Sequence, residues 1–246
     1  MRNDMLQDLK RAKEIVLNAK YAVFFGGAGV STDSGIPDFR GSGGLYASSD
    51  QENEYYLSRE CLSAEPDTFY RFFRKNMIFE TARPNAAHAA LAKLEKRGIL
   101  KAVITQNIDG LHQQAGSERV IELHGTAQRY YCTKCRTVYD RQILSEQSGV
   151  PTCTRCGHII RPDVTLYGEP LDGFCFADAQ REIAKADVLI VGGSSLVVYP
   201  AASLVDAYRG KHMLIVNYTP TPYDNRAEYV VPDSISEVLS YFAAEP

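Results

Sequence analysis

The chain has 246 residues, 45% hydrophobic and 23% charged, a soluble globular balance with material for one large domain or a domain with a smaller insert. Its 27 basic and 30 acidic residues leave a net charge of −3, which gives no general electrostatic reason to expect nucleic acid or an anionic membrane as partner. Residues 21–30, the most apolar stretch, are broken by Gly26, Gly27 and Gly29 and fall short of the roughly 18 apolar residues of a membrane span.

Residues 1–20 mix acids and bases at helical spacing, with Leu6, Leu9, Ile15 and Val16 on one face, and do not read as a signal peptide. A cytoplasmic location is therefore expected. Residues 21–25 read as a buried strand stopped by glycines, followed by Gly27, Ala28, Gly29, Val30 and Ser31 and then by Ser34, Gly35, Ile36, Pro37, Asp38, Phe39 and Arg40. Glycines at a strand-to-helix turn let backbone approach a phosphate closely. The third glycine of a G-x-G-x-x-G turn is missing, because Thr32 stands there, and no acid follows about 20 residues beyond a second strand, so a conventional dehydrogenase is not expected.

A glycine-rich and then aromatic segment, residues 41–84, precedes a helix over residues 85–96 with Ala87, Leu91 and Leu94 on one side. Further apolar strands are expected at residues 102–105, 188–191 and 213–216. Short apolar strands alternating with helices predict an α/β fold, a Rossmann-like parallel sheet covered on both faces. Their ends carry the unusual residues: Thr105, Gln106, Asn107, Ile108 and Asp109; Ser194 and Ser195; Asn217. The carboxyl ends of such strands line the ligand crevice of an open sheet.

His124, beside Gly125 and just before the cysteine segment, is the candidate general base, because histidine titrates near neutrality. The other histidines, His88, His112, His158 and His212, read as structural. Cys132, Cys135, Cys153 and Cys156 are spaced C-x2-C-x17-C-x2-C, the pattern of two knuckles closing on one structural zinc; a disulfide pair and a redox couple are the rival readings. Cys61 and Cys175 are left over as inert cysteines. Residues 129–161 hold six Lys/Arg against two Asp/Glu, read as a solvated zinc-ribbon surface with contact to nucleic acid as the alternative.

Taken in order, the glycine turn with residues 34–40, Thr105 through Asp109, His124 with Gly125, the four cysteines, Gly193 through Leu196, and Val216 with Asn217 resemble the sirtuin family of NAD-dependent protein deacylases, most closely its compact bacterial and archaeal members. The resemblance covers nearly the whole chain. It implies one catalytic domain over 1–246, with a large Rossmann-like part at about 1–40, 85–124 and 166–246. The smaller part would comprise a helical insert at about 41–84 and a zinc module at about 125–165.

The implied activity is NAD-dependent lysine deacetylation, giving nicotinamide and O-acetyl-ADP-ribose. Removal of succinyl or other acyl groups, or transfer of ADP-ribose to protein, are the alternatives. By the resemblance, the acyl oxygen attacks the ribose carbon bearing nicotinamide, and His124 then acts as base on a ribose hydroxyl. Asn107 joins it as a catalytic residue supporting the ribose side. Ala28, Thr32, Phe39, Arg40, Gln106, Asn107, Ile108, Asp109, His124, Ser194, Ser195 and Asn217 would bind NAD. Phe39, Val164 and Tyr167 would contact the acyl-lysine substrate, whose backbone would lie as a strand against residues 164–169 and the stretch after Ser195. Acetylated proteins or peptides are the implied partners, with neither membrane nor nucleic acid.

Three departures from the family pattern stand out. Gly26 replaces a common threonine, and Tyr167 replaces phenylalanine or tryptophan. The Tyr-x-x-Arg of succinyl-selective members does not stand shortly before Pro84 and Asn85, since Tyr70 is followed three residues on by Phe73 and Tyr56 with Arg59 has the spacing but lies too far upstream. An apolar tunnel suited to acetyl is expected, with Arg71 and Arg74 the residues able to disturb it.

Overall fold

The computed structural model describes residues 2–38 and 50–245. In chain order the helices are α1 (Arg2–Leu17), α2 (Asp50–Tyr56), α3 (Arg59–Ala64), α4 (Pro66–Met77), α5 (Ala86–Lys96), α6 (Leu111–Gln114), α7 (Ile143–Glu146), α8 (Gly173–Lys185) and α9 (Ile235–Ala243). The strands are β1 (Ala22–Gly26), β2 (Leu100–Thr105), β3 (Val120–Glu122), β4 (Gly125–Cys132), β5 (Val138–Asp140), β6 (Ile160–Val164), β7 (Val188–Gly192), β8 (His212–Val216) and β9 (Tyr229–Val231).

Six strands form one parallel sheet in the order β3-β2-β1-β7-β8-β9. The chain runs outward from β1 to β3, leaves the sheet, and returns at β7 on the other side of β1. The order therefore reverses between β1 and β7, where open α/β sheets bind ligands at their carboxyl ends. Every residue of β1 and β7 is buried, as expected of strands with both faces covered. Phe24, Ile190 and Leu214 pack toward Val16, Leu91 and Phe242 of the flanking helices. Val23, Phe25 and Leu189 pack the other way, toward Ile183 of α8 and the 3-10 helix Ala201–Ala207.

Local signals fix the helix starts. Asn85 accepts from the Ala87 amide at 2.9 Å and caps α5, Asp172 accepts from the Cys175 amide at 2.7 Å and caps α8, and Pro66 occupies the first turn of α4. Edge strands β3 and β9, three residues each, were not among the sequence expectations.

A second sheet, antiparallel in the order β5-β4-β6, carries the cysteines. It shares one hydrophobic cluster with α3 and α4: Phe69, Tyr70 and Phe73 pack with Tyr130, Ile160, Cys132 and Cys153. The Tyr70 hydroxyl donates to the Ile160 carbonyl, joining helix to sheet. Among the described residues no helix is long and apolar enough to cross a membrane.

Candidate active site

The loop after β1 touches the loop after β7 through glycine backbone. The Gly29 amide donates to the Gly193 carbonyl at 2.9 Å, and a Cβ on Gly29 would lie 2.7 Å from the Gly193 Cα. Only glycine permits this approach. It leaves the turns Ala28–Val30 and Thr32–Ser34 at the mouth of the crevice, with Ala28 half-buried and the Thr32 hydroxyl donating to the Gly29 carbonyl at 3.0 Å.

Ser31 is completely buried beneath this turn. Its hydroxyl donates to Asp109 Oδ2 at 2.7 Å and accepts from Asn107 Nδ2 at 3.1 Å, while Asp109 Oδ1 accepts from the Leu111 amide at 2.9 Å. Asn107 and Asp109 are thereby locked together on the loop after β2. Ser31 lay inside the glycine motif without being singled out as a site residue. Its position two residues beyond Gly29, with a hydroxyl, was the available signal. Ile108 lies half-buried beside this network, its carbonyl accepting from the Ala127 amide.

Gln106 joins both halves of the sheet. Its amide donates to the Gly26 carbonyl at 3.0 Å and its Nε2 to Ser194 Oγ at 2.9 Å. Its carbonyl accepts from His124 Nδ1 at 2.8 Å. A carbonyl can only accept, so Nδ1 carries the proton and Nε2 keeps a lone pair. Burial pushes the His124 imidazole below its ordinary value, opposed by the bond to Gln106. The ring is therefore neutral at physiological pH and held in one tautomer, the state a general base requires. Gly125, at φ +75°, follows because a Cβ there would meet the Asp163 carbonyl at 2.1 Å.

Ser195 is half-buried beside Ser194, whereas the Asn217 amide turns to its own loop, donating to the Thr219 carbonyl at 2.7 Å. Phe39 and Arg40 lie outside the described residues. Val164 pairs with Gly125, and Tyr167 is half-buried with its backbone in a parallel bridge: its amide donates to the Leu57 carbonyl at 3.1 Å and its carbonyl accepts from the Arg59 amide at 3.0 Å.

The four cysteine sulfurs lie within 4.8 Å of one another. Tetrahedral zinc with bonds of about 2.3 Å separates its sulfurs by about 3.8 Å, so the set fits one closed zinc site. The Tyr139 hydroxyl reaches Cys153 Sγ at 3.1 Å and the Thr137 hydroxyl approaches Cys135 Sγ at 3.2 Å, outer contacts of the kind that orient ligands. His158 bonds the Cys156 carbonyl, not a sulfur.

The Sir2 family model matches residues 27–200. A relative named NAD-dependent protein deacetylase from Clostridium perfringens (strain 13 / Type A) is 50% identical over 237 residues, covering 94% of this chain and 96% of that protein. A structure described as "Structural Basis for the Mechanism and Regulation of Sir2 Enzymes" superposes with a TM-score of 0.88 at 42% identity, covering 96% of each chain. Another, "Sir2-p53 peptide-NAD+", gives a TM-score of 0.84 at 39% identity over 95% of this chain and 96% of that one.

Proposed function

This chain belongs to the Sir2 family, and from that premise we propose that it is an NAD-dependent protein-lysine deacetylase releasing nicotinamide and O-acetyl-ADP-ribose. The observation that carries the reading is His124, neutral, locked through Nδ1 to the Gln106 carbonyl, one residue from the Asn107–Ser31–Asp109 network. NAD supplies the ribose carbon to which the acyl group passes, with nicotinamide as leaving group. His124 Nε2 accepts a proton from a ribose hydroxyl. Asp109 and Ile108 hold the nicotinamide end and Asn107 supports the ribose side, while Ala28, Thr32, Gln106, Ser194, Ser195 and Asn217 receive the ribose and phosphate groups. Zinc, held by the four thiolates, has no open position and serves structure.

Acetyl is the fitting acyl group. The Tyr70 hydroxyl is spent on Ile160, and Phe73 is buried and stacked on Phe69 at 5.5 Å. Arg74 donates to the carbonyls of Leu144, Gln147 and Gly149, and Arg71 is exposed against Thr68. Both terminal nitrogens of Arg74 are thereby engaged by main-chain carbonyls. A cytoplasmic location suits four thiols that must stay reduced to bind metal.

The test is mass spectrometry of an acetyl-lysine peptide with and without NAD. Free lysine peptide with O-acetyl-ADP-ribose, formed only with NAD, is expected. Mass added to protein from NAD without deacylation would replace this reading by ADP-ribosyl transfer.

A further inference from the structure

The segment from the end of β6, residues 164–169, is the proposed seat of the substrate backbone, and one ion pair closes it. Arg161, on β6, meets Glu169 as a two-pronged fork, Nη1 to Oε1 at 2.6 Å and Nη2 to Oε2 at 2.8 Å. Nη2 also donates to the Val164 carbonyl at 2.9 Å, and Glu169 Oε2 accepts from the Leu166 amide at 3.0 Å. The two side chains are 12% and 18% exposed, so water screens this pair little. Arg161 pairs with Tyr131 across β4 and lies 5.7 Å from its ring centre, with Arg136 at 4.0 Å from the same ring. Arg161 is thus rooted in the cysteine-bearing sheet while its guanidinium spans the segment from Val164 to Glu169.

We infer that Arg161 and Glu169 are positioning residues for peptide recognition: a clamp that holds residues 164–169 in the conformation that receives the substrate backbone. The amides of Thr165, Leu166, Tyr167 and Glu169 are all satisfied within the protein, by the His124 carbonyl, the Glu169 carboxylate, the Leu57 carbonyl and the Leu166 carbonyl. Gly168 has no backbone partner among the described residues. The clamp thus fixes the segment's shape internally and leaves the exposed Gly168, at φ +83° with open space around it, for an incoming strand. Burial alone would raise the Glu169 carboxyl, but the Arg161 fork and the Leu166 amide outweigh it and hold it below its ordinary value. Lysine cannot replace the fork, because a single ammonium does not reach two carboxylate oxygens and a carbonyl in one plane. The consequence for peptide affinity rests on the deacetylase reading; the clamp itself does not.

The test uses the zinc-loaded full chain with Arg161→Lys and Glu169→Gln, the latter nearly isosteric in case the former fails to fold. Charge-assisted bonds of this kind correspond to a loss of roughly 10- to 100-fold in affinity for a labelled acetyl-lysine peptide. KM for the peptide should rise accordingly, while KM for NAD and zinc content stay at wild-type values. Hydrogen exchange across residues 164–169 should quicken in both variants. Unchanged exchange there, or peptide and NAD constants rising together, would overturn the clamp. Absence of turnover by the wild-type protein would count against the deacetylase reading alone, because the exchange comparison still decides the clamp.

Discussion

Acid should destabilise this protein through one buried ring. His112 is 1% exposed, packed 4.7 Å from the His88 ring and 6.3 Å from Phe24, and neither of its nitrogens has a partner among the described residues. Burial pushes its imidazole down to about 3, with His88 pressing the same way. Above pH 6.5 neither the folded nor the unfolded chain protonates this ring, so it costs nothing. Below 6.5 the unfolded chain takes a proton that the folded chain refuses, and stability falls until pH approaches about 3. One pH unit of unequal protonation is worth about 1.4 kcal/mol, so at pH 5.0 the loss from His112 is about 2 kcal/mol, nearly 30-fold in the folding constant.

The perturbation is His112→Leu, which removes the titration and fills most of the same space. Urea unfolding followed by circular dichroism at pH 7.5 and 5.0 measures the stability difference for each protein. Groups common to both, the zinc thiolates included, cancel when the two differences are subtracted. The variant should lose about 2 kcal/mol less than wild type between these pH values. Equal losses would refute the argument and mean that the folded protein protonates His112 with a pKa near the ordinary one.

His124→Ala should abolish deacetylation while leaving the thermal melt intact; retained turnover would remove it from the catalytic role. Because burial lowers the His124 value, the acid limb of the wild-type pH–activity profile should fall below pH 6.5, and a limb centred above that would contradict a base held neutral by burial. Gly29→Ala would press a methyl against Gly193 backbone that cannot yield, so NAD affinity measured by calorimetry should drop at least about 10-fold, with about 1–3 kcal/mol of stability lost. Cys132→Ala should lose its zinc by elemental analysis and lower the melting temperature, because metal binding is part of the folding energy of the cluster shared with Phe69 and Tyr70; full metal content would refute the ligand set.

The sequence made the centre of the sheet legible and left its margins obscure. β1, β2, β7 and β8 are nearly continuous apolar runs because helices cover both faces, whereas β3 and β9 pair on one side only and are too short to show a period. The cysteine spacing was equally readable, but only half of the knuckle geometry was. The residue after each second cysteine adopts positive φ, 74° at Gly157 and 59° at Arg136, and only glycine advertises such a position. Ser31 could be seen and not weighed, because its partners Asn107 and Asp109 arrive from the loop after β2, 76 and 78 residues away. Asn85, expected as the first residue of a helix, instead caps α5, and its Nδ2 also holds the Val30 carbonyl at 2.8 Å and Ser34 Oγ at 3.0 Å, uses that only the packed chain reveals.

The reversal of strand order explains why so few residues suffice to build the site. At the gap between β1 and β7 the two loops approach through glycine backbone, so side chains must come from the loop after β2 to span them. Gln106 does this with three groups at once: its amide on Gly26, its side chain on Ser194, its carbonyl on His124. The contact that sets the His124 tautomer is therefore main-chain, and no side chain at position 106 can supply or remove it directly. Replacing Gln106 would loosen the crevice proposed for the phosphates and ribose, while the orientation of His124 would persist as long as the amide of residue 106 stays bonded to Gly26. The proposed cofactor contact and the orientation of His124 are thus separable at one residue, the first depending on its side chain and the second on its backbone.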